Sequence, residues 1–201
     1  MLEDPNVTPP EDMWTKTVSP LNAPDKPVDI TIHFDKGIPI KVVSPQKTAT
    51  DSVELFGLLN QLGKEHGLAD DSPGMTILRL AHISIEGLVL DGRVRSLRDS
   101  LSKQWSELVY NGLYFSPEAA FLQPSLDFAQ QRVNGEVRLR LYKGNVYVLG
   151  RSSQEKLYSE EDASMDSLDT FDPSETTGFI TIQAIRLKKY GLQMANAGIK
   201  F

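Results

Sequence analysis

Asp29-Ile30-Thr31-Ile32-His33-Phe34-Asp35-Lys36-Gly37-Ile38-Pro39-Ile40-Lys41-Val42 decides the fold class. In an extended chain side chains alternate between two faces, so Ile30, Ile32 and Phe34 share one side while Thr31 and His33 take the other. Asp35-Lys36-Gly37 supplies a turn, and Ile38, Ile40 and Val42 resume the apolar period on the way back. The stretch predicts a β-hairpin. A second one is predicted about a hundred residues later, where Val137, Leu139 and Leu141 alternate with Arg138 and Arg140, Lys143-Gly144-Asn145 turns the chain, and residues 146–149 return it.

The sequence between the hairpins reads as helices. Asp51, three residues before Glu54, forms a capping-box pair, Leu55, Leu58, Leu59 and Leu62 make one stripe, and Gly67 is a left-handed terminator, which predicts a helix over about 52–66. A short connection leads to a helix capped by Ser72 or Thr76 with Leu78, Ala81, Ile85 and Leu88 on its core side. A third carries Val94, Leu97, Leu101, Trp105 and Leu108 at steps of three and four, with Arg93, Arg95, Arg98 and Lys103 around the rest. The fourth opens with Ser116 and Pro117, carries Leu122, Leu126, Ala129 and Val133, and is expected to kink or restart at Pro124. Two hairpins with three to four helices between them predict an α+β domain with an antiparallel sheet over residues 28–177.

Outside that domain the composition shifts. Residues 1–27 hold six of the twelve prolines and are expected to form an extended arm, whose Met13 and Trp14 require a surface to bury against. Residues 178–201 are expected to form a terminal helix in which Ile182, Ile185 and Leu187, joined by Phe179 and Ile180 on an adjoining strip, pack against two bodies. Between domain and helix, residues 157–185 carry seven carboxylates and no Lys or Arg, the composition of a solvated loop without the glycine punctuation of a calcium loop.

Whole-chain figures exclude several classes. At 201 residues, 40% apolar, the chain can bury a core without staples, and having no cysteine it has no disulfides, thiolate metal sites or thiol nucleophile. A net charge of −6 argues against broad nucleic-acid binding. No uncharged stretch nears the ~20 apolar residues of a membrane span, and the acidic, Pro-bearing start is unlike a signal peptide, so a cytoplasmic location is expected.

Constellations that could carry chemistry are few. His82 and Glu86 sit four apart on one helix, where a surface hydrogen bond is the expected role and a metal or acid–base pair the alternative. Arg138 and Arg140, with Lys143 and Arg151 nearby, form either solvated sheet surface or an anion site. Trp105, Tyr110, Tyr114 and Phe115 suggest a core or interface cluster ahead of a stacking platform. His33 faces away from the apolar side, with no acid in view. No catalytic or metal-binding residue is assigned from the residues alone.

Several stretches nevertheless stand in a distinctive order: Glu11-Asp12-Met13-Trp14-Thr15-Lys16-Thr17, Ser72-Pro73-Gly74-Met75-Thr76-Ile77-Leu78, Glu107 to Pro117 (Glu-Leu-Val-Tyr-Asn-Gly-Leu-Tyr-Phe-Ser-Pro), Tyr142-Lys143-Gly144-Asn145 and Gly178-Phe179-Ile180. Over nearly its whole length the chain resembles the C-terminal half of argininosuccinate synthases, fungal ones above all. The resemblance implies an ATP-dependent carbon–nitrogen ligase of arginine biosynthesis that joins citrulline and aspartate through a citrullyl-adenylate, with ATP and Mg as co-substrate. It also implies a homotetramer in which the terminal helix, here Phe179, Ile180, Ile182, Ile185 and Leu187, reaches into neighbouring subunits. Two family features are missing from these residues. The Ser-Gly-Gly-x-Asp-Thr-Ser loop of the nucleotide-binding domain does not occur, and neither does the Asp-Ile-Val-Glu-Asn-Arg segment whose Glu, with a downstream Tyr, holds citrulline. Leu68 to Asp71 stand in its place. No substrate-binding residue carries over. The expectation is a shortened synthase, inactive alone, or else an interaction module that joins full-length subunits.

Overall fold

Both hairpins form in the computed structural model, which describes residues 4, 6–8, 10–68, 71–158 and 175–196. Strands β1 (Val28–Asp35) and β2 (Ile38–Val43) are joined by Lys36 and Gly37 at φ 49° and 76°. A two-residue strand β3 (Thr48–Ala49), unsignalled by any alternation, pairs with the end of β2. Strands β4 (Gly135–Tyr142) and β5 (Asn145–Ser152) meet through Lys143 and Gly144 at φ 42° and 79°. Two consecutive positive φ values mark the turn whose twist matches the right-handed twist of the strands. The sheet runs β3-β2-β1-β4-β5, antiparallel throughout, with β1 at its centre paired to β2 on one side and β4 on the other.

Its inner face carries Ile30, Ile32, Phe34, Val42, Val137, Leu139 and Leu141, all buried. The expected triplet on β2 is only partly there: Ile38 and Ile40 are exposed, because the β1–β2 register slips between His33 and Phe34 and leaves Ile40 without a partner.

Helices α1 (Ser52–Glu65) and α2 (Pro73–Val89) cover this face with Leu55, Leu59, Leu62, Ile77, Ala81 and Ile85. Asp51 accepts from the amides of Val53 (3.0 Å) and Glu54 (3.2 Å), as the N-cap pattern implies, while the Glu54 carboxylate turns to Lys47 at 3.4 Å. The two helices cross closely. A Cβ on Gly63 would run into Pro73, and the Gly74 amide donates to Asn60 Oδ1 at 2.9 Å.

Helices α3 (Gly92–Tyr110) and α4 (Pro117–Gln130) pack chiefly on each other. The expected apolar stripe of α3 therefore does not reach the core: no α3 residue is buried, and Leu97 is largely exposed. One helix can shield only one side of another. Helix α4 runs through Pro124 without a restart. The carbonyl that loses its partner there belongs to Ala120, an exposed residue, so solvent can satisfy it.

The arm lies along the end of α1. The Val18 amide donates to Lys64 O (3.2 Å), Thr17, Ser19 and Ala23 are buried, and Met13 and Trp14 are half-buried. The chain divides into two compact units, Met1–Leu157 and Tyr158–Phe201. In the second, α5 (Glu175–Asn196) realises the terminal helix and takes in the last part of the acidic run; the rest, 159–174, lies outside the described residues.

Candidate functional site

The sharpest polar constellation grows from the His82 and Glu86 pair on α2, and it is not on the helix surface. Glu86 is fully buried, at 0% exposure. Isolated carboxylates do not survive such burial, so each oxygen must have a donor. Oε2 is held by Arg98 of α3, which also pairs with Asp99 at 3.2 Å. Oε1 accepts from Gln130 Nε2 at 2.9 Å, and Gln130 Oε1 in turn meets His82 Nε2 at 2.9 Å. That contact puts the His82 proton on Nε2. His82 Nδ1 lies 3.6 Å from Glu86, beyond hydrogen-bond reach.

The β1–β2 turn buttresses this cluster. The Gly37 amide donates to Val133 O (2.8 Å), and any Cβ at Gly37 would collide with the Gln130 amide, so the position needs glycine for space as well as for φ. Three helices and a turn thus converge on one carboxylate. Chemically it is a tie rather than a base, since both oxygens are engaged. The i,i+4 spacing exposed half of it to sequence reasoning. Arg98 and Gln130 were missed, and only the Glu86–Arg98 charge match could have hinted at them.

The other sequence candidates do not converge. Arg140 makes a two-pronged pair with Asp29 across β1 and β4 (2.7 and 2.8 Å), which holds the Asp29 carboxyl below the usual carboxylate range. Lys143 pairs with Asp25 at 2.5 Å and lowers that carboxyl likewise. Arg151 donates to Ser84 O (2.7 Å), and Arg138 lies along Gly150. The alternative of an anion site there is not supported, since these cations are paired or dispersed over the sheet surface. His33 does have an acid, Glu136 on the neighbouring strand, at 3.5 Å. Trp105, Tyr114 and Phe115 touch edge to face at 6.0 and 4.9 Å, yet Tyr110 and Phe115 are 91% and 94% exposed, so this is a surface cluster and not core. On α5, Phe179, Ile180, Ile182, Ile185 and Leu187 are all exposed.

Comparison with known proteins agrees with this scaffold. A family model described as "Arginosuccinate synthase C-terminal domain" matches residues 1–70 and 69–190. The chain is 44% identical to argininosuccinate synthase of Saccharomyces cerevisiae, over 95% of this chain and 51% of that protein. It is 40% identical to that of Gallus gallus (94% and 50%) and 42% identical to that of Thermotoga maritima (95% and 51%). The chain spans about half the length of these relatives. The yeast alignment covers 217 positions, whereas 95% of 201 residues is about 191, which leaves about 26 positions that this chain skips. The family match breaks at residues 69–70, between α1 and α2. Matched on both sides of that break and over nearly all its length, the chain belongs to the argininosuccinate synthase C-terminal domain family.

Proposed function

We propose that these residues form the scaffold half of an argininosuccinate synthase, the cytoplasmic, ATP-dependent ligase that joins citrulline to aspartate. The observation that carries the reading is the family match over residues 1–190, interrupted only at the one internal site. The 201 residues do not turn over alone. Neither the ATP-gripping loop nor the citrulline segment of the family occurs among them. In this reading the ATP and citrulline that react are held by those two family segments and not by these residues. The purified chain, given citrulline, aspartate and Mg-ATP, releases no pyrophosphate above the blank; sustained turnover would overturn the inactivity. Fusing the first half and the internal segment of the yeast relative onto these residues restores citrulline-dependent pyrophosphate release. A folded fusion with none would sink the synthase reading.

A second reading is favoured by the exposed apolar side chains of α5: the chain associates with full-length synthase subunits through Phe179, Ile180, Ile182, Ile185 and Leu187. Co-expression with a full-length synthase then yields a mixed oligomer on size exclusion. Strictly monomeric elution at high concentration counts against it.

A further inference from the structure

On the sheet face Arg140 and Lys143 are neutralised where they stand, but cations elsewhere are not. A groove of about 1310 Å³ opens between the β1–β2 turn, α2, α3 and the end of α4, and six of its lining side chains are Lys36, Arg79, Arg95, Arg98, Lys103 and Arg132. Asp99 and Asp127 are its carboxylates. Counting Glu86 and Glu155, which pair with Arg98 and Arg132, six cations face four carboxylates, a local excess of two positive charges in a chain of net −6. Two of the six are engaged, Arg98 by Glu86 and Asp99 and Arg132 by Glu155 at 3.1 Å. Among the described residues Lys36, Arg79, Arg95 and Lys103 form no ion pair. They come from three separate elements and face one concavity, where mutual repulsion and partly apolar walls focus an uncompensated positive field.

We propose that this groove binds an oligophosphate, a compact anion with two or more phosphate groups. Cations spread around a hollow suit a short ligand that concentrates its charge, and guanidinium forks match phosphate oxygens two at a time. An acidic peptide fits less well, because it strings its charges along a line at about 3.3 Å per residue. Trp105 and Leu126 on the wall offer an apolar face to a nucleoside, if the phosphates carry one. This inference stands on the groove alone and not on the ligase reading.

Calorimetric titration of the whole chain with inorganic tripolyphosphate tests it. Saturable binding is expected, weaker as salt rises. Arg79→Ala with Lys103→Ala should lower affinity at least about tenfold, while the equal charge loss of Arg138→Ala with Arg93→Ala, outside the groove, should change it less than about twofold. Circular dichroism checks that each variant melts like the parent, and Arg79→Gln with Lys103→Gln replaces the first pair if it does not. Absence of saturable binding at millimolar tripolyphosphate overturns the proposal. So does equal weakening in both pairs, or tighter binding of hexaglutamate than of tripolyphosphate. A parallel titration with ATP separates sources within a positive result: loss of ATP affinity alone in Trp105→Leu marks a nucleotide, and unchanged affinity for both marks inorganic oligophosphate.

Discussion

Glu86 shows what a single residue contributes here. A buried carboxylate with two donors is costly to assemble and costlier to break, since removing one partner leaves a charge without solvent or counter-ion. Glu86→Ala and Arg98→Ala should each lower the unfolding free energy by about 3–5 kcal/mol in urea titrations, and Glu86→Leu combined with Arg98→Met by much less than the sum. Single losses under about 0.5 kcal/mol would refute the tie. His66 is the second sensitive residue. It is buried with Nδ1 unpartnered among the described residues, and burial lowers its pKa below the ordinary 6.5. Between that lowered value and 6.5 the unfolded chain holds more protons than the folded one, so stability rises with pH through this window and is fully present above 6.5. Stability measured from pH 5 to 8 should show this rise, and His66→Gln should flatten it. A rise undiminished in the variant would assign it elsewhere. Residue-scale partners were the least legible feature in the sequence: Asp29 with Arg140 and His33 with Glu136 lie about a hundred residues apart, and only strand register brings them together.

At the scale of elements the sequence was far more readable. Alternation, capping and turn glycines act within a few residues, so both hairpins, the Asp51 cap and the left-handed Gly67 could be placed before any tertiary contact was known. What failed was the inference from an amphipathic face to what covers it. The α3 stripe meets α4 rather than the sheet, and the bulge in the first hairpin turned Ile38 and Ile40 outward. Pro124 is tolerated inside α4 because the carbonyl it orphans is on an exposed turn. Pro124→Ala should restore that hydrogen bond and raise stability by roughly 1–3 kcal/mol in thermal or urea melts. No gain would mean that the proline packs to some purpose that its helix position does not reveal.

Among the described residues the buried hydrophobic side chains lie between Ala23 and Leu141, within the first unit, while the described side chains of α5 are exposed or half-buried. The central position of β1 has a kinetic consequence. Its partner β2 follows at once, but β4, which completes the sheet on the other side, comes about a hundred residues later. At a synthesis rate of about 5–20 residues per second, a nascent β1–β2 hairpin waits roughly 5–20 s with one backbone edge open. During that wait the β4 of a neighbouring, further-grown chain can take the place of its own, so crowding on one messenger should favour strand-exchanged dimers.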